Sequence, residues 1–150
     1  MNRVSIIAII PARRGSKGIK NKNRVLLNGK PLISYSIEAA IKSAYIETIV
    51  VSSDDDEILK ISQGYNISVI NRPKELSDDF ITLEPVILNV LDIFPGYDYF
   101  VLLQPTSPLR AVEHIDNAIE LLLNSQCDAV ISVTKPTKSP LKSFILNENG

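Results

Sequence analysis

The feature that most limits what this chain can become is the alternation of two hydrophobic periods. Short β-branched runs recur along the sequence, and between them lie longer stretches with apolar residues at i, i+3, i+4 and i+7. Val4 to Ile10 is apolar and unbroken, as a strand buried on both faces requires. A helix is expected from Pro31 to about Ser43, with Ile33, Ile37, Ala40, Ile41 and Ala44 on its core face and proline in its first turn. Ile46 to Val51 reads as a second strand. Ser53 or Asp54 is expected to cap a short helix whose first turn is acidic. Ile67 to Ile70 reads as a third strand, and the RPKELSDDF stretch as a loop.

The same alternation continues to the end. Thr82 is expected to begin a helix with Leu83, Val86, Ile87, Val90, Leu91 and Phe94 on one face. Tyr97 to Leu103 reads as a strand. Val112 to Asn124 reads as a helix that buries Ile115, Ala118, Ile119 and Leu122. Asp128 to Thr134 is expected to be a further strand, followed by a Pro/Lys loop and a short SFIL strand ending in an Asn-Glu-Asn-Gly turn. Strands alternating with helices imply an α/β fold of three layers, α/β/α and Rossmann-like, with a mostly parallel sheet and right-handed crossovers. The 150 residues suffice for one such domain. No apolar run approaches the roughly 18 residues of a membrane span. The first residues lack a cleavage signal, and a single cysteine fits a reducing cytoplasm. Cys127 is expected to be a small buried residue and His114 a helix-surface one.

Ligands of parallel α/β sheets bind beyond the carboxyl ends of the strands. Three polar loops fall there: PARRGSKGIKNKN, SSDDD and QPTSPLR. The first is unusual. Residues 1–37 hold eight Lys or Arg and no acid, although the whole chain has a net charge of −1. A basic protein would point to nucleic acid; a cationic loop on an acidic body points to a small anion. Gly15 and Gly18 would let backbone N–H groups approach that anion. Arg13 offers a fork of donors, and Lys17 and Lys22 add point charges. A triphosphate with its leaving pyrophosphate fits. The dinucleotide fingerprint and the P-loop motif are both absent, which counts against an oxidoreductase of Rossmann type. Asp54, Asp55 and Asp56 are read as cap and dipole complement rather than as a metal site.

With these residues in place the chain closely resembles the CMP-sialic acid synthetases, the acylneuraminate cytidylyltransferases. The resemblance is carried by IIPARRGSKGIKNKN, KPLISYSIEAAIKSA, IVVSSDDDEI, NRPKELSDD and LLQPTSPLR, in the family's order along the whole chain. The Kdo cytidylyltransferases share part of the first loop and usually lack its lysine-asparagine continuation. The resemblance implies transfer of CMP from CTP to the anomeric hydroxyl of a nine-carbon keto sugar acid, with magnesium and release of pyrophosphate. It implies that Arg13, Ser16, Lys17, Lys22 and Asn23 hold the nucleotide, with Arg13, Lys17 and Lys22 acting on the reacting phosphates. It further places Arg72, Asp79 and Thr82 near the base, and Gln104 and Lys142 towards the sugar acid. Arg14 and Lys20 fall where the family varies. Arg72 could instead form a loop salt bridge, Thr82 could be a plain helix cap, and Arg110 could only pair with nearby acids; Ser107 is given no chemistry.

The family continues well beyond residue 150. The chain is therefore expected to be a nucleotide-binding domain truncated at its C-terminal side. The metal-binding aspartates, a dimerisation arm and much of the sugar pocket would then lie in the remainder, with a homodimer expected at full length. The alternatives are a CTP-binding fragment without catalysis, and a cytidylyltransferase for legionaminic, pseudaminic or Kdo acceptors. No nucleic-acid or membrane partner is expected.

Overall fold

The computed structural model describes residues 4–15, 18–78, 80–125 and 127–135. Its centre is β1 (Ile6–Pro11), in which Ile7, Ala8, Ile9 and Ile10 are wholly buried. Burying an isoleucine contributes about 2 kcal/mol, so a strand buried on both faces forces helices onto both. β1 pairs in parallel with β4 (Thr48–Ser53) on one side and β6 (Tyr99–Leu102) on the other, and β5 (Ser68–Asn71) extends the sheet beyond β4. The strand order is β5–β4–β1–β6, all parallel.

Side chains alternate across the strand, so the two faces collect different partners. Ile6, Ala8 and Ile10 pack against α1 (Leu32–Lys42), α2 (Asp56–Gln63) and α4 (Val112–Asn124), through Ile33, Ile37, Ile58, Ile115 and Ile119. Ile7, Ile9 and Val50 pack against α3 (Leu83–Ile93) through Val90, with Ile87 and Leu91 alongside. The chain first winds outward from β1 to β4 and β5, then returns to place β6 on β1's other flank. That reversal leaves a crevice at the carboxyl ends of β1 and β6. No helix of the described residues is long and apolar enough to cross a membrane.

The expected alternation is present, with informative departures. β4 ends two residues later than its apolar run, because Ser52 and Ser53 are buried with hydrogen-bond partners that satisfy them. Asp55, not Ser53 or Asp54, caps α2: its carboxylate accepts the Glu57 N–H at 3.0 Å. In α1, Ile41 is 48% exposed, and Ala44 lies past the helix end at Lys42. The helix sits between α2 and α4, and it buries the small residues Ser34, Ser36 and Ala39 instead. An Asn28-Gly29 turn with positive φ at both residues (50° and 77°) joins a two-stranded ribbon, β2 (Leu26–Leu27) and β3 (Lys30–Pro31), ahead of α1.

The expected strand at Asp128 to Thr134 is not formed. The segment joins no ladder, and Ile131 and Val133 are 81% and 89% exposed. Alternation supplies propensity, but only a paired neighbour makes a strand, and none of the described residues pairs with it. Cys127, expected to be buried, is exposed in the same segment for the same reason. The SFIL strand and its turn lie outside the described residues.

Candidate functional site

At the carboxyl end of β1 the chain is tied down before it becomes basic. The Ala12 N–H donates to the Ser52 carbonyl at 2.9 Å, and the Ser53 hydroxyl donates to the Ala12 carbonyl at 2.6 Å. Arg13 follows, and the Asn23 side-chain amide donates to its carbonyl at 3.0 Å. Asn23 is itself buried. It belongs to a 3₁₀ turn, Lys22–Arg24, entered through Asn21 in the left-handed region (φ 53°). Asparagine tolerates that conformation better than most residues. Through Asn23 the turn is tied back to the backbone at Arg13. Its last residue, Arg24, lies 3.3 Å from the Asp55 carboxylate, an ion pair whose N–H is not aligned for a hydrogen bond.

Arg72, just past β5, is only 5% exposed. Its Nε donates to the Ser52 hydroxyl at 3.1 Å and a terminal nitrogen to the Ser52 carbonyl at 2.6 Å. Among the described residues no carboxylate lies within ion-pair distance of it, so the expected alternative of a loop salt bridge is not what holds it. Burial lowers its pKa from the ordinary arginine value; the Asp54 charge opposes that, and the nearby Arg13 charge adds to it. The groups that hold the guanidinium directly are neutral, and Asp54 is the negative charge that acts on it from nearby.

These groups converge on a cavity of about 290 Å³. Arg13, Gly15, Lys22, Asn23, Arg72, Thr82 and Gln104 line it, together with one acid, Asp78, which sequence reasoning had not singled out. Leu76, Ile81, Leu83 and Val86 contribute apolar lining to the same cavity. The lining therefore combines cations with apolar side chains, as a ligand that is part anion and part flat heterocycle would need. Of the residues singled out from sequence, Gly18 does not line the cavity, and Ser16, Lys17, Asp79 and Lys142 fall outside the described residues. A Cβ added at Gly15 would meet no atom of the protein, so internal packing does not explain a glycine there. Thr82 holds the N-cap position of α3, but its side chain makes no capping bond. Arg110, expected to pair with acids, instead donates to the Gln104 carbonyl at 3.2 Å and, more weakly, to the Ser36 hydroxyl at 3.4 Å. It thus braces the loop that carries Gln104, and burial lowers its pKa. His114 lies on the helix surface as expected and accepts the Ala111 N–H through Nδ1.

Sequence pattern does not disclose the cavity's apolar lining. Helical spacing assigns Leu83 to the core, yet it is 37% exposed at the cavity edge, and periodicity alone cannot separate a core face from a cavity wall. Ser52 and Ser53 were also missed as site-building residues. Their signal was present: two serines closing a β-branched run in a strand buried on both faces.

The described residues hold no ready-made cage of metal-ligating side chains. No three His, Cys, Asp or Glu side chains converge among them. Asp54 accepts the Arg14 N–H at 2.7 Å, and Asp55 is engaged by the helix cap and Arg24. Magnesium is commonly held by one or two carboxylates together with substrate phosphates and water rather than by an all-protein cage.

Comparison with known proteins adds to this geometry. The Cytidylyltransferase family profile matches residues 7–149. The N-acylneuraminate cytidylyltransferase of Escherichia coli O18:K1:H7 is 44% identical over 139 residues, covering 91% of this chain and 33% of its own length. The pseudaminic acid cytidylyltransferase of Campylobacter jejuni is 37% identical over 149 residues, covering 96% of this chain and 64% of its own. Among solved structures, a CMP:2-keto-3-deoxy-manno-octonic acid synthetase complexed with CTP superposes with a TM-score of 0.68 at 21% identity, over 80% of this chain and 48% of that one. A cytidylyltransferase from Leptospira borgpetersenii gives 0.69 at 22% identity, over 82% of this chain and 50% of that one. Both share the α/β nucleotidyltransferase fold. The chain spans about a third of the length of the Escherichia coli relative and just under two thirds of the Campylobacter one.

Proposed function

This chain belongs to the cytidylyltransferase family, and from that premise we propose that it is the nucleotide-binding domain of an acylneuraminate cytidylyltransferase. The reaction is transfer of CMP from CTP to a sialic-type nonulosonic acid. The sugar's anomeric oxygen attacks the α-phosphorus, the bond to the bridging oxygen breaks, pyrophosphate leaves and the hydroxyl proton is lost. One observation carries the reading: Arg13, Lys22 and Arg72 line one cavity together with apolar residues of α3 and with Gln104. In this reading Arg13, with Lys22 and Lys17, neutralises charge that grows on the departing pyrophosphate. Gly15, Ser16, Gly18 and Asn23 shape the phosphate loop. Arg72, Asp79 and Thr82 surround the base, and Gln104 and Lys142 face the sugar acid. The proposed cofactor is magnesium, its ligands outside the described residues. The full-length protein is proposed to be a cytoplasmic homodimer supplying activated sugars for cell-surface polysaccharide.

A second reading is favoured by the span of the match: CTP binding without turnover by this stretch alone. A third is a different acceptor, since relatives are named for pseudaminic and for legionaminic acid. One experiment separates them. The chain is incubated with CTP, magnesium and a panel of nonulosonic acids and Kdo while pyrophosphate is followed, and CTP binding is measured by calorimetry. Pyrophosphate released with one acid names the acceptor, whereas binding with no release selects the second reading. If neither occurs, the proposal fails for this chain. Lys22→Ala should leave melting unchanged, since a solvated loop charge contributes little to stability. In an active chain it should lower kcat/KM for CTP by about 10²-fold, the scale for losing one preorganised charge partner. Arg13→Lys should also impair it, because a point charge does not replace a fork.

A further inference from the structure

One motif plays no direct part in the proposed reaction. Ser52-Ser53-Asp54-Asp55 lies at the carboxyl end of β4 and contacts the basic loop at both ends. Ser52 and Ser53 hold Ala12 where the loop begins. Asp54 accepts the Arg14 N–H at 2.7 Å, and Asp55, almost fully buried, faces Arg24 at 3.3 Å where the loop returns. We propose that Asp54 is a positioning residue: by fixing the backbone at Arg14 it sets how Arg13 and Gly15 face the cavity. The inference rests on the reading that this loop holds the phosphates of CTP.

The physics of the loop makes such a device necessary. Six cations fall between Arg13 and Arg24, and like charges drive a chain apart. Arg14 and residues 18–20 are exposed, so no packed core orders this stretch. Order must come from hydrogen bonds, and those with an ionised acceptor are the stronger kind. The bond from Asp54 takes a backbone donor rather than a side-chain cation. An acid at this site can thus shape a cationic loop through its backbone, without its bond drawing on a side-chain donor. The three consecutive aspartates then have different tasks: Asp55 caps α2, Asp56 is its exposed first residue, and Asp54 serves the loop.

The test compares Asp54→Ala, Asp54→Asn and Asp56→Asn. Binding of CTP and of inorganic tripolyphosphate is measured by calorimetry, and exchange of the Arg14 amide hydrogen is followed without ligand. Asp54→Ala should weaken both anions roughly 10-fold, a modest instance of what misplaced binding groups cost, and should speed exchange at Arg14. Asp54→Asn keeps a carbonyl acceptor and should bind both within about threefold of the unaltered chain, since only the charge assistance is lost. Asp56→Asn should change nothing. Unaltered binding and exchange in Asp54→Ala overturn the inference and leave the cytidylyltransferase reading standing. Weaker binding in the alanine variant with unaltered exchange at Arg14 overturns it too, because the loss would then not run through that bond. If the unaltered chain binds neither anion, the reading of the site itself fails, and that result needs no variant.

Discussion

The two ends of the sheet use the same chemistry to opposite purposes. At the amino end, a carboxylate closes the structure: Asp98 accepts the Ser5 N–H at 2.8 Å and the Ser5 hydroxyl at 3.0 Å, joining the approaches to β1 and β6. Nearby, the Tyr97 hydroxyl donates to the Thr48 hydroxyl. At the carboxyl end, equally short bonds from Ser53 and Asp54 hold a loop away from the core rather than against it. The cations are gathered there, and so is the cavity. The same fold therefore spends hydrogen bonds on stability at one end and on the shape of a binding surface at the other. The difference predicts that substitutions at the two ends dissociate: one set should move melting alone, the other should move ligand affinity.

The largest effect is expected at Arg72, which belongs to both categories. Arg72→Ala removes a buried stem and both bonds to Ser52, and should lower stability by about 2 kcal/mol in urea unfolding. It should also weaken CTP. Arg72→Lys separates the two roles, because lysine keeps the charge but not the pair of directed donors. If the lysine variant binds CTP like the unaltered chain while its stability still falls, the charge serves the ligand and the directed donors serve the fold; if the alanine variant too binds CTP unaltered, Arg72 is a structural residue and does not belong with the cavity cations. At the closed end, Tyr97→Phe should reduce stability by about 1 kcal/mol, the usual net worth of one hydrogen bond. CTP affinity should not move. A matching fall in affinity would mean the ends are coupled through the sheet, and the contrast drawn above would be lost.

How far the sequence discloses this design differs between the ends. The sheet was legible because Val4 to Ile10 can only be a strand buried on both faces, and because helical spacing in Leu83 to Phe94 is unambiguous. The cations of the cavity were legible because Arg13, Gly15 and Lys22 follow a strand end where ligands collect, and family resemblance supplied Arg72, Asn23, Thr82 and Gln104. What stayed hidden depended on partners distant in the chain. The Ser5–Asp98 link spans 93 residues, and nothing in either local pattern announces it. The roles of Ser52 and Ser53 depend on Ala12 and Arg72, which topology alone brings near. The segment at Asp128 to Thr134 misled for the reverse reason: its alternation is a strand's, but a strand exists only where an edge receives it.

The smallest predicted effect concerns Asp98 and has a sign fixed by its bonds. Hydrogen bonds from the Ser5 N–H and hydroxyl favour the ionised carboxylate and lower its pKa below the ordinary 3.8. A carboxylate whose folded pKa is depressed adds stability above its unfolded value, and that contribution disappears as pH falls through the folded value. Asp98→Asn should therefore melt slightly lower than the unaltered chain at neutral pH. The gap should begin to close near pH 3.8 and vanish below the depressed value, where both side chains are neutral. Melting temperature against pH for the two proteins provides the check. A gap of constant size across the acid range would assign the difference to shape rather than to charge. CTP affinity at neutral pH should be the same in both, because Asp98 and the cavity stand at opposite ends of the strands that connect them.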